Sequence, residues 1–361
     1  LARKGFVVLA YDPIGQGERL QYPDPDGDGS LVGGPTTEHS YVGAQCLLSG
    51  STLARYWAWS GTRAIDYLET RDEVDPDRIG VTGRSGGGTF TAYIGAFDMR
   101  VKAAAPECYL TSFRRLWDSC GPQDAEQNIP GMIRAGLDHP DFLLARMPRP
   151  TLMINTTRDF FSIDGATDTF REARGAYQAL GKGGHMTRSV DDAPHASTEK
   201  NREAMYGFFQ RHLDQPGSSE DLDVEPLSKE KLTVTETGQV LTSVGGKSVF
   251  SINRDETREL LDDLQESRED LPAHLEDAAA AARDLSGYRA PAGIPSTLLT
   301  GRLQRDGYVV EKYVLGGEGQ TVTPALLMWP DDGQDHPAVI YVHPDGKAAE
   351  AAPGGEMEKL V

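Results

Sequence analysis

Positive charge is what this 361-residue chain is short of: 36 Lys and Arg stand against 55 Asp and Glu, a formal net charge of −19. That deficit excludes the basic footprint of a nucleic-acid binder and disfavours an anionic membrane surface. Solubility is the ordinary meaning of such acidity. The imbalance is uneven, with 23 basic and 27 acidic side chains in 1–213 but 13 and 28 in 214–361. Cysteine is scarce as well. Cys46, Cys108 and Cys120 give no metal-ligand spacing and no even disulfide framework, so buried thiols are expected, with a Cys108–Cys120 pair as the alternative. No apolar run approaches the roughly 20 residues of a membrane span, and no leader is visible.

What the chain does have is Gly83-Arg84-Ser85-Gly86-Gly87. The run follows a short apolar strand at 78–82 and leads into a helix-compatible stretch at 89–96. Gly-x-Ser-x-Gly between a strand and a helix is a nucleophile elbow, in which small neighbours let the helix pack close while the serine hydroxyl stays exposed. This context predicts serine-hydrolase chemistry.

Around that motif, residues 1–213 alternate strands with helices, the pattern of a parallel sheet wrapped on both sides. Strands are expected at 5–11, 78–82, 101–105, 150–155 and 186–190. Helices are expected at 53–68 and 198–213, the latter with Met205, Phe208, Phe209 and Leu213 on one face. Residues 214–230 read as an acidic, turn-rich linker. Beyond it lie β-prone pieces in 233–250, a charged helical region at 254–285, two strands within 308–329, a strand at 338–342 and a helix at 349–361. Read in a circle, the strand 338–342, its turn and the last helix run into the strand 5–11, as in the first half of a hydrolase sheet. The expected fold class is therefore α/β: a mostly parallel sheet flanked by helices, with its opening strands supplied by the C-terminal segment. Residues 308–361 should dock beside 5–11. The chain then reads as a window on a tandem array, or as a circularly permuted single domain.

Serine is a poor nucleophile without an adjacent base and a group that orients the base. In strand–helix sheets these gather at the carboxyl ends of the strands. After Ser85, Asp159 follows the strand 150–155, with Asp164 and Asp168 as rivals. His195 follows the strand 186–190, whereas His185 precedes it and His139 and His212 have no strand-end setting. The expected roles are Ser85 as nucleophile, His195 as general base then acid, and Asp159 as the orienting acid. The oxyanion needs backbone donors: one from Gly86, and a second from the turn after a preceding strand, where Asp345 and Gly346 stand in the circular order. Arg84 and Glu107 are candidates for binding substrate. No cofactor or metal is called for.

Three other patterns are set aside. Asp24-Pro25-Asp26-Gly27-Asp28-Gly29 imitates a calcium loop but has Pro35 where its twelfth-position Glu belongs. Gly86-Gly87-Gly88 lacks the following Lys-Ser/Thr of a phosphate loop. Tyr56, Trp57 and Trp59 could stack on a sugar, although at least one should pack in the core.

Tyr11-Asp12-Pro13-Ile14-Gly15-Gln16-Gly17-Glu18-Arg19, Gly83 to Gly88, Arg158-Asp159-Phe160-Phe161, Pro194-His195 and His343-Pro344-Asp345-Gly346-Lys347 together resemble the acetylxylan-esterase-like and dipeptidyl-peptidase-like branch of the α/β-hydrolase superfamily. The resemblance covers nearly all of 1–213 and roughly 308–361. It implies a small ester substrate, such as acetyl groups on polysaccharide, and a secreted or periplasmic setting. A prolyl-oligopeptidase-type peptidase and a hydrolase-like binding module without turnover are the competing readings. The order of the segments departs from the family pattern.

Overall fold

The structure, a computed structural model, describes residues 1–27, 29–121 and 123–361. It has two compact units, Leu1–Glu266 and Ser267–Val361.

The first unit is built on a four-stranded parallel sheet, β1 (Ile79–Arg84), β2 (Val101–Glu107), β3 (Thr151–Arg158) and β4 (Met186–Pro194), in the order β1-β2-β3-β4. Its register sets Thr82 beside Ala105 and Ile154 beside Ser189. The helices of this unit include α1 (Pro35–Leu48), α2 (Leu53–Leu68), α3 (Gly86–Phe97), α4 (Phe113–Trp117), α5 (His139–Leu144), α6 (Ile163–Ala179) and α7 (Glu199–His212). Several start on a side-chain cap. Thr52 accepts from the Arg55 N–H, Ser162 from Gly165 and Thr198 from Asn201, each cap contributing about 1 kcal/mol.

Alternation along β2 shows why both faces of the sheet are dry. Ala103 and Ala105 pack with Leu152, Ile154, Phe208, Phe209 and Leu213 on the α7 side. Ala104 turns to the other face, into a cluster with Trp57, Phe90 and Ile94. The alanines keep that face low enough for α3 to approach: a Cβ on Gly95 would lie 3.2 Å from the Ala104 Cβ.

Some elements differ from the sequence expectation. Residues 6–13 run without a strand ladder, and β1 has β2 as its sole partner among the described residues. Apolar strand character is present there, but an adjoining edge to pair with is not. Residues 214–230 are strapped down: Arg202 Nε bonds Asp221 at 2.9 Å, and Lys4 Nζ reaches the Ser218 carbonyl at 2.9 Å. Thr233 to Phe250 form helical turns and loop, because their amides are taken by side chains. Val234 N–H and Thr235 N–H both donate to the Glu18 carboxylate at 2.7 Å. The charged helical region is two helices, Val249–Ser267 and Leu271–Ser286, with Pro272 in the first turn of the second. Cys46, Cys108 and Cys120 are all free, and Cys120 is exposed rather than buried. Of the discounted calcium-like loop, Asp28 lies outside the described residues.

The second unit carries an antiparallel sheet, β5 (Thr297–Gln304), β6 (Tyr308–Gly316) and β7 (Val322–Pro330), in that order. The two strands expected within 308–329 are present, joined by a third. Residues 338–342 form no strand, and the expected helix at 349–361 shortens to Glu356–Leu360. An all-apolar run has strand propensity, but without a paired edge it earns no ladder. Docking of 308–361 beside 5–11 remains a proposal.

A close backbone approach lies at the start of α3. A Cβ on Gly88 would run into the Glu107 carbonyl oxygen and come within 2.9 Å of the Tyr109 Cβ. Gly88→Ala is therefore expected to cost about 1–3 kcal/mol, as overpacking does. Chemical denaturation would measure it, with Gly184→Ala, which meets open space, as the neutral control.

Candidate active site

Ser85 sits between the end of β1 and the first turn of α3 with φ 59° and ψ −120°. A non-glycine residue there costs on the order of 1–3 kcal/mol, held by its surroundings. Its N–H donates to the Glu107 carbonyl at 3.0 Å, tying the turn to β2, and its carbonyl accepts from Thr89 N–H at 3.0 Å. Gly83 is required beside it, because a Cβ would lie 2.7 Å from the Gly87 backbone. Gly86 opens α3, so its N–H has no carbonyl one turn back within the helix. Trp57 packs against it: a Cβ on Gly86 would lie 3.4 Å from that indole.

Asp159 directly follows β3 and His195 directly follows β4. His195 Nδ1 lies 2.9 Å from both carboxylate oxygens of Asp159. The acid is fixed further by Phe161 N–H at 3.0 Å and the Thr156 hydroxyl at 3.3 Å. Burial alone would raise the Asp159 pKa, but the bonds from His195 and Phe161 N–H, with the nearby imidazole charge, hold it below the ordinary aspartate value. The His195 ring lies 4.6 Å from the Phe160 ring, and the side chain is 20% exposed. Asp164 and Asp168 are not on His195. Asp164 lies in the first turn of α6, and Asp168 faces Arg115 and Arg171.

The structure therefore brings Asp159 and His195 together, and links both to the elbow through Arg84, whose Nη1 donates to the His195 carbonyl at 3.3 Å. Among the described residues no hydrogen bond joins the Ser85 hydroxyl to His195. Glu107 ends β2, buried, with Oε1 lacking a hydrogen-bond partner. Burial raises its pKa against the opposing Ser197 bond and the charges of Arg84, Arg202 and His195. Asp345 and Gly346 belong to the second unit. Both amides donate inside their own turn, to His343 Nδ1 and the His343 carbonyl, at 3.1 and 3.0 Å.

The remaining histidines have structural duties. His139 Nδ1 accepts from Thr111 N–H at 3.1 Å, and full burial pushes its pKa down to about 4. His185 Nδ1 bonds the Pro148 carbonyl, and His212 packs on Phe208. Trp57 is fully buried and stacked on Phe90 at 3.9 Å, which makes it core rather than a sugar platform. Trp59 is exposed.

Two clusters escaped the sequence reading. Cys108, with φ 51°, places its Sγ within 4.8 Å of ligand atoms of Asp159 and His195. Burial pushes that thiol up to about 12, so it is neutral and packs as a small apolar group. His39, Asp124 and Glu126 gather in the same way. His39 Nε2 lies 3.1 Å from the Ile14 carbonyl, so it carries a proton, while Nδ1 lies 3.1 Å from Glu126 and 3.4 Å from Asp124. Burial would lower the pKa, but the two carboxylates overcome it and raise it to about 9. This group ties the 12–19 loop to the core through the Ile14 carbonyl.

Nothing in the sequence spacing pointed to either cluster, since positions 39 and 124 meet only in three dimensions.

The sheet, its elbow and the strand-end acid and base define the α/β-hydrolase class. Residues 48–109, from the end of α1 through the elbow to Tyr109, match the family model "Glucuronyl esterase, fungi". The chain is similar to the protein named "Putative hydrolase YtaP" of Bacillus subtilis (strain 168), at 30% identity over 108 residues, 30% of this chain and 31% of that protein. Among solved structures it is similar to a carbohydrate esterase family 15 glucuronoyl esterase from Caldicellulosiruptor kristjansonii (21% identity, TM-score 0.41, 49% of this chain and 55% of that one). It is also similar to Methylesterase BT1017 (25% identity, TM-score 0.44, 56% and 41%). The match thus spans less than a third of the curated relative and about half of each solved structure.

The His39 pairing has a testable consequence for stability. A pKa raised from 6.5 to about 9 on folding stabilises fully below pH 6.5 and is lost as pH rises through 9. The melting temperature should therefore fall between about pH 6.5 and 9. In His39→Gln that slope should flatten; an unchanged slope would mean that His39 is neutral in the fold.

Proposed function

We propose that this chain is a serine carboxylic ester hydrolase acting on carbohydrate esters through an acyl-enzyme. The observation that carries the reading is the Asp159–His195 pair, 2.9 Å apart, at the sheet edge where β1 delivers Ser85 in a strained turn. The family match at 48–109 and the esterase names of similar proteins support it.

In this reading His195 Nε2 takes the Ser85 proton as Oγ attacks the acyl carbonyl. Asp159 holds Nδ1–H, which fixes the tautomer with Nε2 free to accept and stabilises the imidazolium that forms. The Gly86 N–H faces the oxyanion; one such donor is worth about 3–4 kcal/mol in comparable sites. Collapse of the tetrahedral intermediate breaks the ester C–O bond, and the sugar hydroxyl leaves with the proton from His195. Water, activated by the same imidazole, then releases the acid and restores Ser85. Arg84 and Glu107 flank this centre as candidate contacts for the sugar.

The acyl group favoured here is acetyl on xylan-type polysaccharide, after the resemblance carried by the motifs. Glucuronoyl and methyl esters are the alternatives that similar proteins' names suggest. A panel of acetylated xylan, methyl glucuronate ester, p-nitrophenyl esters of rising chain length and a prolyl anilide tests the reading. Turnover of acetylated xylan should lead. A lead by the anilide would replace the esterase by a peptidase, and no turnover of any member would leave a binding module.

Ser85→Ala should lower ester turnover by at least about 10³-fold with the far-ultraviolet spectrum unchanged, and Asp159→Asn by about 10⁴-fold, as in other serine triads. Retention of more than a tenth of the activity in Ser85→Ala would remove the nucleophile assignment.

A further inference from the structure

The loop after β3 leaves one large apolar side chain in water at the catalytic end of the sheet. In Arg158-Asp159-Phe160-Phe161 the Asp159 side chain and Phe161 are buried, whereas Phe160 is 47% exposed. The backbone on either side of it is fixed. Phe161 N–H bonds the Asp159 carboxylate two residues back at 3.0 Å, a local turn, and the Phe160 carbonyl accepts from the Cys120 thiol at 3.6 Å. The Phe161 ring supports the Phe160 ring at 4.6 Å and is itself anchored edge-on to Tyr109 at 6.0 Å.

Scattered exposed apolar side chains are ordinary on a protein surface. Phe160 differs by its neighbour. Among the described residues it is the one exposed aromatic in ring contact with His195, with 4.6 Å between centroids and 35° between planes. Arg158, two positions before it, does not cover the ring. That guanidinium turns to Asp192, with Nε 3.3 Å from the carboxylate and Nη2 3.0 Å from the carbonyl.

The chemistry at His195 decides what comes down on this ring. Asp159 holds Nδ1, so the proton for the leaving group departs from Nε2, and the leaving oxygen has to come within about 3 Å of that nitrogen. A ring bonded to that oxygen therefore lies beside the imidazole, where Phe160 is packed. An aromatic face is flat, apolar and negative in its charge distribution. A pyranose presents the complement, with C–H groups on its faces and hydroxyls around its rim. Arg84, held to the His195 carbonyl at 3.3 Å, has further N–H donors for such hydroxyls. An apolar surface with a few polar groups beside it is the make-up of a small-ligand site.

We propose that Phe160 is the platform for the sugar ring of the leaving alcohol, holding it while His195 protonates its oxygen. The proposal rests on the esterase reading and adds to it the residue that selects a sugar on the alcohol side of the ester. The platform grips the ring alike before and during the reaction, so Phe160 acts on KM rather than on kcat.

Steady-state kinetics on mono-acetylated xylotriose and on ethyl acetate test this, because the two esters share the acyl group and differ in the ring. The ratio of their kcat/KM values should fall about 10-fold in Phe160→Ala and in Phe160→Leu, through KM for the sugar ester. Phe160→Trp should keep it. Phe160→Leu retains apolar bulk against Phe161 and His195, so it decides the matter where Phe160→Ala is unstable. An unchanged ratio, with both esters slowed alike, would mean that Phe160 only steadies the imidazole and would overturn the proposal. So would a wild type that hydrolyses ethyl acetate but not the sugar ester. A wild type that hydrolyses neither ester counts against the esterase reading, and calorimetric titration with xylotriose then decides on the platform. Binding weakened about 10-fold in Phe160→Leu and kept in Phe160→Trp sustains the sugar platform; equal or absent binding overturns it.

Discussion

One close approach governs the first unit: α3 begins two residues after β1 ends, and only bare backbone fits between them and β2. Gly83 keeps the strand clear of Gly87, and Gly88 lets the helix settle on the Glu107 carbonyl. The chain can make that turn only by forcing Ser85 to a positive φ. The strain of about 1–3 kcal/mol is offset by what the approach permits. Phe90 and Ile94 reach Trp57 on one side, while Tyr93 and Ala96 reach Phe142 and Leu143 on the other. Remove the close contact and the two clusters lose the helix they share.

Charge is handled in the same economical way. Buried cations are held where backbone would otherwise be left unpaired. The Arg146 guanidinium, fully buried, bonds the carbonyls of Gly95, Arg149 and Pro150, although burial lowers its pKa to about 10. It thereby ties the end of α3 to the start of β3. His39 does the corresponding work for the loop that passes beside Gly86, with two carboxylates supplying the compensation that Arg146 finds in carbonyls. Asp159 is a third variation: an acid whose side chain is buried and which is kept ionised by donors on three sides. The rest of the large negative charge lies mostly in residues 214–361.

The parallel sheet, the elbow and the meeting of Asp159 with His195 could be read from the chain because each is written locally. A strand-turn-helix junction needs its glycines in sequence, and strand ends announce the loops that follow them. Long-range partners are not written that way. Residues 5–11 have every local property of a strand, yet a ladder also requires an adjacent edge, and no described residue pairs with them. The 233–250 stretch failed for the reverse reason: its β-branched residues suggested strands, but Glu18 and Gln21 capture its amides first. His39 was invisible because its partners stand at 124 and 126, in a loop with no periodic pattern. Cys108 could have been noticed, since it directly follows the strand-end Glu107; a lone buried thiol simply carries no spacing signal.

The exposed thiol of Cys120 gives the molecule a built-in observation point. Cys46 and Cys108 are buried, so a maleimide dye will choose Cys120. Its sulfur lies 3.6 Å from the Phe160 carbonyl, and the Phe160 ring lies on His195. A fluorophore there is separated from the imidazole by a single aromatic residue. Anything that moves that ring on entering the cleft will change the dye's surroundings, so ligand arrival can be followed by light on the native sequence, without introducing a label site.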